Sequence, residues 1–531
     1  MRSALTIFHS IFLLLFVAAL APSAATAVEP ERLFLQQVGS SSAIVKWRGG
    51  DADQACVARK IKRLSRKLKS EKSKKSRKSR KVQCVTAEIT AGNHKEAKFT
   101  HLKQNRDYFY ILGAPGPGAA TSPDQRFRTS PRRNKSPRDG NVHMWLIGDS
   151  GTATEVSPRD GQPTHPGEAE AVRDGFEIYN ADKEPVDLFV LLGDNAYLEG
   201  TDAQWQGAFF DIYPNVMNKA AVWPTIGNHE MGGGCFDISI FIGLPPGSFF
   251  TFIGGTSGSS DPLSYNGGPA DCGSGAPVPG PDGSGPPYLG IFSLPSAGEL
   301  GGVPSGTEQY YSTNYANVHL VSLDGQLSNA DDDQREAMRD WLIADLSNNT
   351  RDWTIVIFHH PAYSKGENHD SDREQREIDM RERFTPVFED YGVDVVYSGH
   401  SHSYERSYYL HGHQGLSDTF DVSTMAELNG MGEGASGQGA EEYSQISTGS
   451  GADDKAVYTV AGNSGKADTL DPCPEGQVLG CTPADWLMHP AHYVSIMETI
   501  GSVVVDATAT SLTSRLVDVN GDVLDEFTIN R

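Results

Sequence analysis

The sequence has 531 residues, 38% hydrophobic and 21% charged, with 45 Lys/Arg against 68 Asp/Glu. A chain of this length and mixture folds into a few globular domains rather than a fibre or a disordered tail. Its formal net charge of −23 repels a phosphate backbone, which excludes general nucleic-acid binding.

In chain order, residues 1–27 read as a signal peptide: Arg2, an apolar run from Ile7 to Leu20, then Ala25-Thr26-Ala27 as a cleavage site. The run is shorter than a membrane span, so a secreted or lumenal chain with no transmembrane segment is expected. Residues 28–130 read as all-β, with β-rich runs Ala43–Trp47 and Tyr108–Leu112. Those runs, with Phe99–Leu102, resemble strands of a fibronectin type III sandwich. Residues 59–81 carry 14 Lys/Arg and one acid, Glu71, leaving 31 basic and 67 acidic side chains elsewhere. This basic stretch reads as a loop inserted in the sandwich, either simply solvated or a tether to an anionic surface or polymer.

Residues 131–140 form a polar, Pro-containing linker, and 141–531 read as one α/β catalytic domain. Short apolar runs, His143–Ile147, Leu188–Leu192, Val318–Leu323, Trp353–Phe358 and Val393–Tyr397, alternate with helical patterns at Asp331–Leu346 and Asp372–Tyr391, the latter interrupted at Pro386. Gly-rich stretches 235–305 and 412–454 read as long surface insertions. Ser502–Ile529 holds β-rich runs around the turn Asn520-Gly521-Asp522. Six cysteines in an exported chain favour disulfides. Neighbour pairing would join Cys56 to Cys84, Cys235 to Cys272 and Cys473 to Cys481, but the sequence leaves every pairing open. Asn134 and Asn348 lie in glycosylation sequons.

The chemistry gathers where the apolar runs end. They are followed by Gly148-Asp149, Gly193-Asp194-Asn195-Ala196-Tyr197, Gly227-Asn228-His229-Glu230, His359-His360 and Gly399-His400-Ser401-His402. In an α/β domain such strand ends face one site. The glycines are expected to take positive φ where the chain turns. Carboxylates and a phenolate are hard ligands, and imidazole suits first-row metals. One Asp can bridge two cations, and a pair of cations can hold a phosphoryl group while activating water.

This ordered set, GDSG, GDNAY, GNHE, FHHP and GHSH, resembles the purple acid phosphatases of the calcineurin-like metallophosphoesterase superfamily. The resemblance implies two packed mixed sheets flanked by helices, with closing strands near Val457–Asn463 and Asp518–Ile529. It implies Fe(III) on Asp149, Asp194, Tyr197 and His402, and a divalent metal (Fe, Zn or Mn) on Asp194, Asn228, His359 and His400. Tyr197 would give the family's purple colour. Asn228 and His229 would hold the phosphate, and His369 would protonate the leaving group. Glu405 and Arg406 would orient His402 or its loop. The implied activity is acid hydrolysis of small phosphate monoesters by metal-activated hydroxide. The alternatives are a phosphodiesterase or nucleotide phosphatase on the same metal pair, or an inactive anion-binding protein.

Overall fold

A computed structural model describes residues 30–66, 82–132, 135, 137, 139–157, 161–198, 200–231, 235–237, 250–252, 286–329, 332–366, 369–427, 443–444, 455–468 and 488–531. The expected signal peptide, most of the basic loop (67–81), Asn134, Cys272, Cys473 and Cys481 lie outside these residues.

The described N-terminal residues form eight strands, β1 (Pro30–Gln36), β2 (Ala43–Gly49), β3 (Gln54–Ala58), β4 (Gln83–Thr86), β5 (Glu88–Ile89), β6 (His94–Phe99), β7 (Asp107–Leu112) and β8 (Arg126–Arg128), with short 3-10 turns at Ile61–Arg63 and Ala91–Asn93. The strands form two layers, β1-β2-β6-β5 and β4-β3-β7-β8. Trp47, Tyr108, Tyr110 and Phe127 are buried in a common core, as alternation along half-buried strands requires. Cys56 and Cys84 face each other across β3 and β4 and form a disulfide.

The rest comprises β9 (Val142–Ile147), β10 (Leu188–Leu191), β11 (Ala221–Pro224), β12 (Cys235–Asp237), β13 (Phe250–Phe252), β14 (Tyr311–Tyr315), β15 (Val318–Ser322), β16 (Trp353–Ile357), β17 (Val395–Ser398), β18 (Tyr404–Leu410), β19 (Ala426–Glu427), β20 (Tyr443–Ser444), β21 (Ala456–Ala461), β22 (His492–Ile496), β23 (Gly501–Ala507), β24 (Ser511–Asp518) and β25 (Val523–Asn530). Two large mixed sheets result. One runs β20-β25-β24-β23-β9-β10-β11 and continues through β1 into β2-β6-β5, so the N-terminal layer extends the catalytic sheet. The joint is a single parallel pairing, Leu35 with Ala221. The other runs β14-β15-β16-β17-β21-β18-β19, with β22 beside β18. Their inner faces share one core, in which Trp145 and Phe189 meet Ile355 and Tyr397.

Within each sheet the strands that carry the motifs are parallel neighbours: β9, β10 and β11 in one, β16 and β17 in the other, the latter pair flanked by parallel β15 and β21. Their continuous burial explains their apolar runs. Helix Asp332–Asn348 and the segment Gln375–Asp390 cover the outer face of the second sheet. Pro386 sits in the first turn of Thr385–Asp390, where its missing N–H is tolerated, just after a widened π turn at Met380–Phe384. A third helix, Glu168–Asn180, is not evident from the sequence pattern. It buries Ala169, Val172 and Phe176, and Phe176 stacks 4.0 Å from Trp145.

One expectation is corrected. The stretch 235–305 is not all surface insertion, because 286–305 packs into the core. Tyr288 is fully buried and donates its hydroxyl to Pro224 O, while Phe292 lies 5.3 Å from Trp205. The Gly/Pro-rich composition masks these aromatic anchors. The sequon residue Asn348 is exposed at its helix end, its amide donating to Ala344 O at 2.7 Å. No helix among the described residues is long and apolar enough to cross a membrane.

Candidate metal centre

Five strand ends from the two sheets converge. Asp149 follows β9, Asp194 and Tyr197 follow β10, Asn228 and His229 follow β11, His359 follows β16, and His400 and His402 follow β17. Three of these residues, Asp149, Asp194 and His400, hold the left-handed conformation themselves, at φ of 55°, 53° and 70°. Such strain in non-glycine residues persists only where surrounding structure fixes it.

This revises the role of the motif glycines. Only Gly193 of the four takes positive φ, at 92°. Gly227 and Gly399 are required by crowding: a Cβ would stand 2.2 Å from Asp194 Oδ1 and 2.4 Å from Asp149 Oδ2 respectively.

The side chains meet at short range. The Tyr197 hydroxyl donates to Asp149 Oδ1 at 3.0 Å and lies 3.5 Å from His402 Nε2. The His400 backbone N–H donates to Asp149 Oδ2 at 2.8 Å, tying the second sheet to the first. His359 Nε2 is 3.1 Å from both Asp194 Oδ2 and Asn228 Oδ1, with its Nδ1 fixed on Leu192 O. The His229 N–H donates to Asp194 Oδ1, and its ring Nδ1 lies 2.6 Å from Leu198 O. All seven expected ligands thus fall in one cluster, and His229 borders it.

Burial and charge shift the titratable groups of the cluster. Asp149 and Asp194 are 0% and 2% exposed. Burial raises Asp149 to about 7 against the pull of His359, and the Asp194 charge adds to the rise. Asp194 stays well below the ordinary carboxylate range despite burial, because His359 and His229 face it. Burial, then Asp149 and Asp194, holds the Tyr197 phenol well above its usual value. The ligand atoms of Asp149, Asp194 and His359 lie within 4.8 Å of one another. Two carboxylates, a phenol, an amide and three imidazoles are donors that fit first-row metal ions.

Three supporting acids escaped the sequence reading. Glu230, fully buried, accepts the backbone N–H groups of Asp194, Asn195 and Gly227 at 2.7–2.8 Å, holding two ligand loops together. Asp468 Oδ1 lies 3.3 Å from His402 Nδ1. Glu374 bridges His369 Nδ1 at 2.7 Å and His400 Nε2 at 2.9 Å. A short spacing signal was present only for Glu230, adjacent to His229. His369 itself reaches the cluster, its ring 3.7 Å from that of His400.

The expected role of Glu405 and Arg406 in orienting His402 or its loop is corrected for Arg406 alone. Glu405 accepts the hydroxyls of Ser403 and Ser401, on either side of His402, at 2.8 and 3.4 Å, while the His402 ring itself is held by Asp468. Arg406 turns to Asp525 of β25, with Nε–Oδ2 and Nη2–Oδ1 at 2.7 and 3.0 Å. Alternation along β18 sends Glu405 and Arg406 to opposite faces.

The calcineurin-like phosphoesterase family matches residues 142–404, the segment that carries every one of these ligands. Residues 142–404 are a calcineurin-like phosphoesterase domain. The chain is 25% identical over 319 residues to purple acid phosphatase 22 of Arabidopsis thaliana, covering 60% of this chain and 54% of that one. It is 36% identical over 106 residues to Arabidopsis purple acid phosphatase 18, covering 19% of this chain and 23% of that one. The chain thus spans about half the first relative's length and less of the second. The yellow lupin purple acid phosphatase PPD1 shares the fold, with a TM-score of 0.57 and 17% identity over 94% of this chain and 74% of that chain. So does PhoD, with a TM-score of 0.52 and 13% identity over 95% and 90%. The phosphoesterase domain carries a cluster that fits metal binding where the strand ends of its two sheets converge.

Proposed function

We propose that the protein is a secreted acid phosphatase that hydrolyses small phosphate monoesters at a dinuclear Fe(III)–M(II) centre. Asp149, Asp194, Tyr197 and His402 would hold the ferric ion. Asp194, Asn228, His359 and His400 would hold Fe, Zn or Mn, with Asp194 shared. The observation that carries the reading is the Tyr197 hydroxyl, 3.0 Å from the buried Asp149 carboxylate and inside the cluster. When bound, such a metal pair supplies positive charge to phosphoryl oxygens and acidifies water.

The chain's own groups do the rest. Leu198 O fixes His229 Nδ1, which leaves Nε2, 3.8 Å from Asp194, to meet a phosphoryl oxygen. Glu374 fixes His369 Nδ1 and keeps that imidazole above its usual pKa despite burial. A protonated His369 then has Nε2 to donate to the leaving oxygen. The two N-terminal layers support a fibronectin-like sandwich, and the basic loop supports docking on an anionic polymer.

Asp194→Asn tests the reading. Wild-type protein should hold about two metals per chain, show a visible phenolate-to-iron band and hydrolyse monoesters faster than diesters. Folded Asp194→Asn protein should lose band and turnover. Retention of either sinks the assignment, and faster turnover of diesters transfers it to a phosphodiesterase.

A further inference from the structure

Glu405, in β18, is fully buried and sits where three segments meet. Its Oε1 accepts the hydroxyls of Ser364 and Ser403, both at 2.8 Å, and of Ser401 at 3.4 Å. Its Oε2 accepts the Lys365 backbone N–H at 3.2 Å and lies 2.7 Å from His492 Nδ1 of β22. Burial by itself would raise this carboxyl. His492 and the serine hydroxyls outweigh it and hold Glu405 below its usual range.

These contacts join two functional pieces. Ser401 and Ser403 flank His402 in the turn that carries the metal ligands. Ser364 and Lys365 begin the loop that presents His369. That loop is closed on itself: the Ser371 N–H donates to Ser364 O at 3.1 Å, the Ser364 N–H donates to Ser371 Oγ at 3.0 Å, and Lys365 pairs with Asp370. Arg381 Nη1 holds the far end at Ser371 O, 2.7 Å away. Glu405 thus ties the base of the loop to the metal turn, while Glu374 bridges His369 itself to His400.

We propose that Glu405 is a positioning residue that holds the His369 loop in register with the His400–His402 turn, so that the proton donor meets the leaving oxygen. The proposal rests on the phosphatase reading and on His369 as donor. A carboxylate suits the task because four donors converge on its two oxygens with the His492 imidazole beside them, more than an amide oxygen accepts. Small displacements of a proton donor cost large factors in rate.

Leaving-group dependence tests it. p-Nitrophenolate departs without a proton, whereas an alkoxide needs one. Turnover of p-nitrophenyl phosphate and glycerol phosphate would be measured for wild type, Glu405→Gln, Ser364→Ala and His369→Asn. The expected result is a loss in kcat on glycerol phosphate of about 10²-fold for His369→Asn, within the range for general acids. Glu405→Gln should show a smaller loss of the same kind, with p-nitrophenyl phosphate turnover and metal content nearly unchanged. Ser364→Ala should lie between Glu405→Gln and wild type. Equal losses on both substrates, or none, overturn the positioning role. Amide hydrogen exchange separates the two failures: if no protein hydrolyses either substrate, the phosphatase reading fails. The clamp then still stands or falls by whether Glu405→Gln speeds exchange at Lys365 and Ser371.

Discussion

Breaking the ion pair between Arg406 and Asp525 should cost far more than removing it altogether. Both residues are buried, at 1% and 0% exposure, and they link β18 of one sheet to β25 of the other. The Tyr404 hydroxyl also donates to Asp525 Oδ2, at 2.8 Å, and the guanidinium lies 5.3 Å from the ring centroids of both Tyr493 and Phe527. In Asp525→Asn the amide oxygen can serve Arg406 Nε and Tyr404. Its NH2 then confronts Arg406 Nη2, and a buried cation loses its counter-charge. That should destabilise the protein by about 3–5 kcal/mol. In the triple variant Tyr404→Phe, Arg406→Met, Asp525→Leu both charges and the Tyr404 hydroxyl go together, and only the buried Tyr443 hydroxyl loses its Arg406 partner, so stability should return to within about 2 kcal/mol of wild type. Urea unfolding followed by tryptophan fluorescence reads both. A single-variant loss below about 1 kcal/mol, or a triple variant no better than the single, would refute the account of this inter-sheet contact.

Two further outcomes follow from other contacts. His143 Nδ1 lies 2.7 Å from Asp506 Oδ1, and Asp506, followed by Asp187 and Asp139, outweighs burial to raise the imidazole above its ordinary 6.5. A raised histidine pKa stabilises fully below the unfolded value and is lost as pH rises through the folded one. His143→Gln should therefore cost about 1.5–3 kcal/mol at pH 6 and progressively less above the folded pKa. A urea-stability difference that grows with pH contradicts this. The Cys56–Cys84 bridge spans 28 residues and should contribute about 3–4 kcal/mol by restricting the unfolded chain. Cys56→Ala/Cys84→Ala should lower the melting temperature while leaving kcat unchanged, and a fall in kcat at full folding would show that the N-terminal layers shape the site.

The sequence by itself marked the residues that converge in the cluster and their order, because each stands just after a short apolar strand, while their expected roles as metal ligands came from the resemblance to the purple acid phosphatases. It also determined the two helices on the second sheet and the closing β24–β25 hairpin, which are local patterns. Tertiary structure decided what local pattern does not encode. Glu230, Glu374 and Asp468 act on residues brought near by different strands, and no spacing rule connects Asp468 to His402. Arg406 stands beside Glu405 in sequence yet pairs with Asp525, because successive side chains on a strand point to opposite faces and the partner comes from the other sheet. The aromatic anchors Tyr288 and Phe292 were hidden by Gly and Pro around them, since burial depends on what packs against a segment. The strained φ values fell on Asp149, Asp194 and His400 rather than on most of their glycines. Crowding by neighbouring loops, which only the folded chain provides, leaves no room for a Cβ at Gly148, Gly227 or Gly399 whatever their φ.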